Sequence, residues 1–124
     1  MSKKVESRKV KFPAIGVDNF ESEVLQEEKP VLLACLHQGL EFYDQVRVLE
    51  SVGSEGNLSL KVCLLDEEYF GAFGKKFSMA GTPTYFVFHK GVEKGRLLGR
   101  VDRKTLNDFV IRTLSEHLRN YPYE

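Results

Sequence analysis

Five stretches of the chain have the apolar pattern of β-strands. Residues 31–36 are a continuous apolar run and residues 58–65 are rich in apolar side chains, which predicts strands buried on both faces of a sheet. The first stretch is weaker, and we expect it to lie at a sheet edge because Pro13 interrupts it. The predicted strands are residues 10–15, 31–36, 58–65, 84–88 and 96–101.

Between these strands and after the last of them, apolar residues recur at the spacing of amphipathic helices. Asp18 and Glu21 have the spacing of a capping box at the start of the first helix. An acidic run at residues 66–68 suits the start of the third helix, and Asp102 is placed to cap the last. The predicted helices are residues 18–26, 40–52, 66–77 and 102–118.

The order of these elements predicts a single α/β domain. Helices that alternate with strands predict right-handed crossovers between parallel strands. The short turn at Lys90–Gly91 predicts that the last two strands form a C-terminal antiparallel hairpin. We therefore expect a three-layer domain with a mixed central sheet and helices on both faces. The 124 residues suffice for one core, with flexible ends at residues 1–9 and 119–124.

Composition and charge exclude several classes of function. With 18 basic and 18 acidic residues the formal net charge is zero, which argues against binding nucleic acid or a membrane surface through bulk charge. No apolar stretch approaches the roughly 20 residues that span a bilayer. Lys3 and Lys4 are not followed by the apolar segment of a signal peptide. We therefore expect a cytoplasmic protein.

The two cysteines lie inside apolar runs. Neither Cys35 nor Cys63 has a partner at the spacing of a metal or redox motif. We expect both to be free, buried thiols in a reducing compartment. A disulfide between them is the alternative, since neighbouring strands could bring them close.

The segment at residues 79–91 reads as a turn, an apolar strand and a second turn. Gly81-Thr82-Pro83-Thr84 leads into the strand, and Phe88-His89-Lys90-Gly91 ends it. Together with other features in the same order, this segment resembles the thioredoxin-like superfamily over residues 17–114. The resemblance implies the thioredoxin fold, with a cis peptide bond before the proline that lines the substrate groove. The other features are Asn19-Phe20-Glu21, the strands at residues 31–36 and 62–66, Gly99 and the helix with Leu106 and Phe109.

The chain departs from this family where dithiol chemistry requires particular residues. A thioredoxin needs Cys-x-x-Cys, in which one thiolate attacks and the second thiol resolves the mixed disulfide. The register of the resemblance places Gly39 and Phe42 at those positions. The family's buried carboxylate and nearby lysine fall at Leu33 and Val62, and its helix-kinking proline falls at Arg47. The resemblance therefore implies a divergent, redox-inactive member, for which we expect no cofactor.

What remains of the family's functional surface is its cis-proline groove. In the family, the backbone before the proline pairs with an extended peptide, as in strand addition. We therefore expect a binding or adaptor module whose partner is a protein or a peptide. A chaperone-like role belongs to this expectation. Phe42 is open to two interpretations, as groove lining or as helix core. The predicted groove residues are Gly39, Leu40, Glu41, Phe42, Thr82 and Pro83.

An enzyme is the alternative. Cys35 ends a strand and His37 follows two residues on, so in an extended chain their side chains share one side. They are the candidate catalytic pair of a divergent thiol-dependent oxidoreductase. A second form of the enzyme alternative is an oxidoreductase that binds glutathione at the groove. His37, His89 and His117 lie on separate elements, so we predict no metal site. A third interpretation is a structural interaction domain in a larger assembly.

Overall fold

The structure is a computed structural model that describes residues 12–55 and 59–119, with the side chains of residues 12–52 and 59–115. Five strands form one sheet in the order β1-β3-β2-β4-β5. The first three strands in sequence are parallel, β4 is antiparallel to β2, and β5 is antiparallel to β4. The strands are β1 (Ala14–Ile15), β2 (Val31–Cys35), β3 (Lys61–Leu65), β4 (Thr84–His89) and β5 (Val92–Leu98).

Helices occupy every connection in which one was predicted. The first is a short π-helical turn, and the third begins with a 3₁₀ turn, Glu67–Tyr69, before it becomes α-helical. The α/β class, the mixed sheet and the edge position of β1 are therefore as predicted. The helical elements are the π-helical turn (Glu21–Leu25), α1 (Phe42–Glu55), α2 (Phe70–Phe77) and α3 (Arg103–Arg119).

The predicted flexible ends fall almost entirely outside the described residues. The exception is Arg119, which is the last residue of α3 rather than part of a loose tail. Residues 10, 11 and 58, which belong to predicted strands, also lie outside the described residues.

The start of the first helical turn differs from the prediction. No side chain caps this turn, so the predicted capping box of Asp18 and Glu21 is wrong. Asn19 shapes the approach instead: its Oδ1 accepts from the Gly16 N–H at 2.8 Å, and its Nδ2 donates to the Ala14 carbonyl at 3.1 Å. A short amide side chain that bonds to nearby backbone stabilises a turn and competes with a regular cap.

The last strand also differs from its prediction, because it begins at Val92 rather than at residue 96. Lys90 and Gly91 form the turn between β4 and β5, with φ of 55° and 82°. Two successive residues with positive φ match the twist of paired antiparallel strands, so pairing starts at once, with His89 opposite Val92. Asp102 caps α3 as predicted, since its Oδ1 accepts from the Thr105 N–H at 2.8 Å.

Apolar side chains alternate between the two faces of the sheet and form two cores. Leu32, Ala34, Tyr85 and Val87 point to the face covered by α1 and α3. Leu33, Cys35, Phe86 and Phe88 point to the opposite face, where the π-helical turn and α2 pack. Helices therefore cover both faces of the sheet, which explains why β2 and β4 are apolar at nearly every position.

Strand direction determines which loops meet. Parallel β1, β2 and β3 end at the same edge of the sheet, where antiparallel β4 begins and β5 ends. Thr84 marks this edge, because it is paired with Cys35 on one side and Leu98 on the other. The loops after β2, before β4 and after β5 therefore lie together, and the predicted groove residues belong to the first two.

Candidate functional site

A depression of about 290 Å³ opens at this edge of the sheet. The loop between β2 and α1 forms one wall, and the Thr82–Pro83 step forms the other. The structure brings all six predicted groove residues together here. The residues that line the depression are Leu36, His37, Gln38, Gly39, Leu40, Glu41, Phe42, Gln45, Thr82 and Pro83.

The β2–α1 wall presents apolar side chains to solvent. The side chain of Leu40 is fully exposed, and Tyr43, the second residue of α1, is also exposed. Phe42 is half-buried: it lines the depression, packs against the core between the sheet and α1, and meets the Tyr43 ring edge-on at 4.9 Å. Both interpretations of Phe42 therefore describe part of its surroundings.

The opposite wall is shaped by hydrogen bonds on either side of Thr82. The Thr82–Pro83 peptide bond is cis. The Pro83 carbonyl accepts from the Gly99 N–H at 2.8 Å, and the Thr84 hydroxyl donates to the Gly81 carbonyl at 2.5 Å. The backbone N–H and carbonyl of the exposed Thr82 have no hydrogen-bond partner among the described residues.

Glu67 organises one end of the depression. Its Oε2 lies 3.1 Å from His37 Nδ1 and accepts from the Gln38 N–H at 2.6 Å, so one carboxylate holds two consecutive residues of the β2–α1 loop. The His37 ring also approaches Phe70, with ring centroids 6.2 Å apart. Sequence reasoning missed Glu67, although the signal existed: residues that follow two neighbouring parallel strands must meet at one edge.

A buried polar network lies beneath the depression. Gln45 and Tyr85 are both buried, and the tyrosine hydroxyl donates to Gln45 Oε1. The same Oε1 accepts from the Val101 N–H at 3.2 Å, and Gln45 Nε2 donates to the Val101 carbonyl at 3.0 Å. The network ties α1 to the segment between β5 and α3, and burial raises the pKa of Tyr85 above its usual range.

An exposed ion pair lies at the mouth of the depression. Arg100 Nε is 3.4 Å from Glu41 Oε1, and more than half of each side chain is exposed to solvent. A pair this exposed contributes little to stability because water and salt screen it. The pair therefore does little to hold the two loops together.

The environment of Cys35 opposes thiolate chemistry. The residue is fully buried and not part of a disulfide, as is Cys63. Burial raises the pKa of the Cys35 thiol to about 12, against a small opposing effect of Arg96, and burial likewise raises that of Cys63 to about 11. His37 is exposed and bound to Glu67 instead. A reactive cysteine needs exposure and a lowered pKa, and Cys35 has neither.

We expect both cysteines to resist modification in the folded protein. At neutral pH an aromatic disulfide reagent should titrate no thiol natively and two thiols in denaturant, because only unfolding exposes them. Absorbance of the released thiolate measures the reaction. Rapid native labelling that is lost in Cys35→Ser and retained in Cys63→Ser would contradict this expectation and revive the enzyme alternative.

The described residues contain neither a cluster suited to a metal ion nor a helix suited to a membrane. Within them, no three histidine, cysteine, aspartate or glutamate side chains are grouped so that they could hold a metal ion. His89 ends β4, whereas the side chain of His117 is not described. None of the described helices combines the length and the apolar character needed to cross a bilayer.

The resemblance assigns the family's buried carboxylate and lysine to Leu33 and Val62. Both residues are apolar and buried in the sheet. Gly39 and Phe42 lie side by side in the wall of the depression, and neither can carry thiol chemistry. Among known proteins, no family model and no curated sequence matches this chain.

Proposed function

We propose that the chain is a redox-inactive, thioredoxin-like binding or adaptor module that holds an extended segment of a partner protein in the depression. The observation that carries this proposal is the position of exposed apolar side chains opposite the backbone groups of Thr82, which have no partner among the described residues. A partner segment in this position would meet both kinds of surface at once.

The backbone of Thr82 supplies the directional part of the interaction. Its N–H and carbonyl have no partner among the described residues, and its side chain is exposed. Backbone groups in this state are hydrogen-bonded to water or to a ligand. An extended peptide offers one N–H and one carbonyl per residue and can satisfy both, which is the basis of strand addition.

Apolar side chains supply the remaining affinity. Six large apolar side chains are exposed among the described residues, and four of them, Val17, Leu40, Tyr43 and Leu98, lie at this edge of the sheet, the last three beside the depression. Leu98 flanks the Pro83 wall through its pairing with Thr84. Apolar surface gathered beside a depression is typical of a binding site, and it suits a peptide with apolar side chains at alternate positions.

The site lacks the thiols that disulfide exchange requires. Neither wall carries a cysteine, and both described cysteines are buried with raised pKa values. Binding without disulfide exchange is therefore the simplest chemistry for this site. A cytoplasmic location belongs to the proposal, because two free thiols are stable in a reducing compartment.

Leu40→Asp tests the proposal directly. Peptides of about ten residues are selected by display against the wild-type protein, and their dissociation constants are measured by fluorescence anisotropy. We expect Leu40→Asp to weaken binding by about tenfold or more, since it places a desolvated charge in an apolar contact. Stability should not change, because the Leu40 side chain is fully exposed.

Val92→Asp is the matched control. Val92 is also exposed, but it lies beside the Lys90–Gly91 turn at the opposite edge of the sheet. Peptides that bind both variants as well as the wild type would place the binding surface elsewhere and sink the proposal. The enzyme alternative predicts insulin reduction in the presence of dithiothreitol, whereas the binding module should show only the background rate.

A further inference from the structure

Gln45 combines two properties that rarely occur together in a surface depression. It is 3% exposed, so its carboxamide is almost entirely removed from water, and yet it lines the depression. Apart from Tyr85 and the two cysteines, Gln45 and Thr84 are the only buried residues with polar side chains among those described. Burying an amide costs free energy unless its donors and acceptors are hydrogen-bonded. The hydrogen bonds of Gln45 therefore show how many of these groups the fold itself satisfies.

The hydrogen bonds fix the orientation of this amide. Oε1 accepts from the Val101 N–H and from the Tyr85 hydroxyl, while Nε2 donates to the Val101 carbonyl. The flipped orientation would place the NH₂ group against the Val101 N–H and the oxygen against the Val101 carbonyl, which sets like against like twice. Nε2 is therefore the atom on the side of the Val101 carbonyl.

One hydrogen of the amide remains unused. A carboxamide nitrogen carries two hydrogens, and among the described residues Nε2 makes one hydrogen bond, to the Val101 carbonyl. Both lone pairs of Oε1 are occupied, so the spare capacity of Gln45 is one donor and no acceptor. Gln45 lines the depression, so a ligand bound there is the candidate acceptor for this donor.

We propose that Gln45 Nε2 is a specificity-determining group of the depression that donates a hydrogen bond to a backbone carbonyl of the bound peptide. The inference rests on the proposed function, because the hydrogen bond to Gln45 would fix which residue of the same bound segment lies above the floor of the depression. Thr82 anchors the segment from one wall and Gln45 anchors it from the floor. The acceptor is assigned as a peptide carbonyl because the bound segment is an extended peptide, which offers one carbonyl at every residue.

The test removes the spare hydrogen and leaves the rest of the network in place. In Gln45→Glu burial favours the neutral carboxyl, in which one oxygen accepts from Tyr85 and Val101 and the hydroxyl donates to the Val101 carbonyl. No hydrogen is left for a ligand. Tyr85→Phe is the matched control: it removes one bond from the network, and Nε2 keeps its spare donor.

The probe is a heptapeptide of alternating leucine and serine, acetylated and amidated so that its only carbonyls are amides. The same peptide with a free C-terminal carboxylate is the second arm. Nitrogen-15 NMR follows the backbone resonances of Leu40 and Thr82, which report occupancy of the depression, and the two side-chain protons of Gln45. Dissociation constants come from the same titrations.

We expect the capped peptide to shift the backbone resonances and to move one of the two Gln45 side-chain protons downfield. Gln45→Glu should weaken binding by about five- to tenfold, and Tyr85→Phe should leave it within about twofold. Tighter binding of the free acid that depends on Gln45 would overturn the carbonyl assignment in favour of a carboxylate.

Two other results overturn the inference in different ways. If the peptide shifts Leu40 and Thr82 but neither Gln45 proton moves and Gln45→Glu binds normally, the proposed function stands and the role of Gln45 does not. If millimolar peptide shifts none of these resonances, the inference falls together with the proposed function.

Discussion

Replacement of Phe73 by alanine is expected to lower the free energy of unfolding by about 3–5 kcal/mol. The side chain is fully buried under the sheet, and its ring centroid lies 4.6 Å from Phe77, 5.3 Å from Phe86, 5.6 Å from Phe20 and 5.7 Å from Tyr69. The change removes the buried area of the ring, leaves a cavity and breaks four aromatic contacts at once. Because a domain of this size is stabilised by about 5–15 kcal/mol, this single change removes a large part of the total.

Urea unfolding followed by circular dichroism measures the effect, and Phe70→Ala is the matched control. Phe70 lies on the same helix and packs only partly against the same core. We expect its replacement to cost clearly less, since less of the ring leaves water on folding. Equal losses for the two variants, or a loss below about 1 kcal/mol for Phe73→Ala, would show that the α2 side of the sheet is not packed as described.

The aromatic cluster illustrates what the sequence pattern could and could not predict. The pattern located α2 and the strands that it covers, because apolar spacing follows the period of each element. It did not show that Phe20, Phe73, Phe77, Phe86 and Phe88 form one cluster. That grouping depends on how the π-helical turn and α2 cross the sheet, which local periodicity does not determine.

The predicted starts of the first helix and of the last strand were wrong because turn residues, rather than the apolar pattern, determine the backbone there. Asn19 replaced the predicted capping box because its amide reaches both Gly16 and Ala14. The last strand began early because Lys90 and Gly91 adopt positive φ and start the pairing directly. In both places the deciding contact joins residues that are close in sequence, so a closer reading of turn residues would have found it.

The walls of the depression were predictable, but its supporting contacts were not. The six predicted groove residues came from the resemblance and lie together in the structure. The Gln45 network was missed, since its members are distant in sequence: Gln45 is 40 residues from Tyr85 and 56 from Val101. No spacing rule brings such residues together. Only the packing of α1 against the loop after β5 does so.

Replacement of Gln45 by leucine is expected to lower the free energy of unfolding by about 2–4 kcal/mol, which is the second largest effect that the structure predicts. Leucine fills a similar volume but offers no hydrogen bond, so the change isolates the polar contribution. It leaves the Tyr85 hydroxyl without a partner in a fully buried position and deprives both backbone groups of Val101 of theirs. Each buried group left unpaired costs about 1–3 kcal/mol, and the half-exposed Val101 groups recover part of this from water.

A double-mutant cycle with Tyr85→Phe measures the coupling free energy between Gln45 and Tyr85. Tyr85→Phe alone should cost about 1 kcal/mol, because Gln45 Oε1 retains its bond from Val101. In the double variant the unpaired hydroxyl no longer exists, so we expect a total loss close to that of Gln45→Leu alone, with a coupling of about 1 kcal/mol. Strictly additive losses would mean that the two side chains do not interact. In that case one lone pair of Gln45 Oε1 would be free, and the amide would no longer be limited to one spare donor and no spare acceptor.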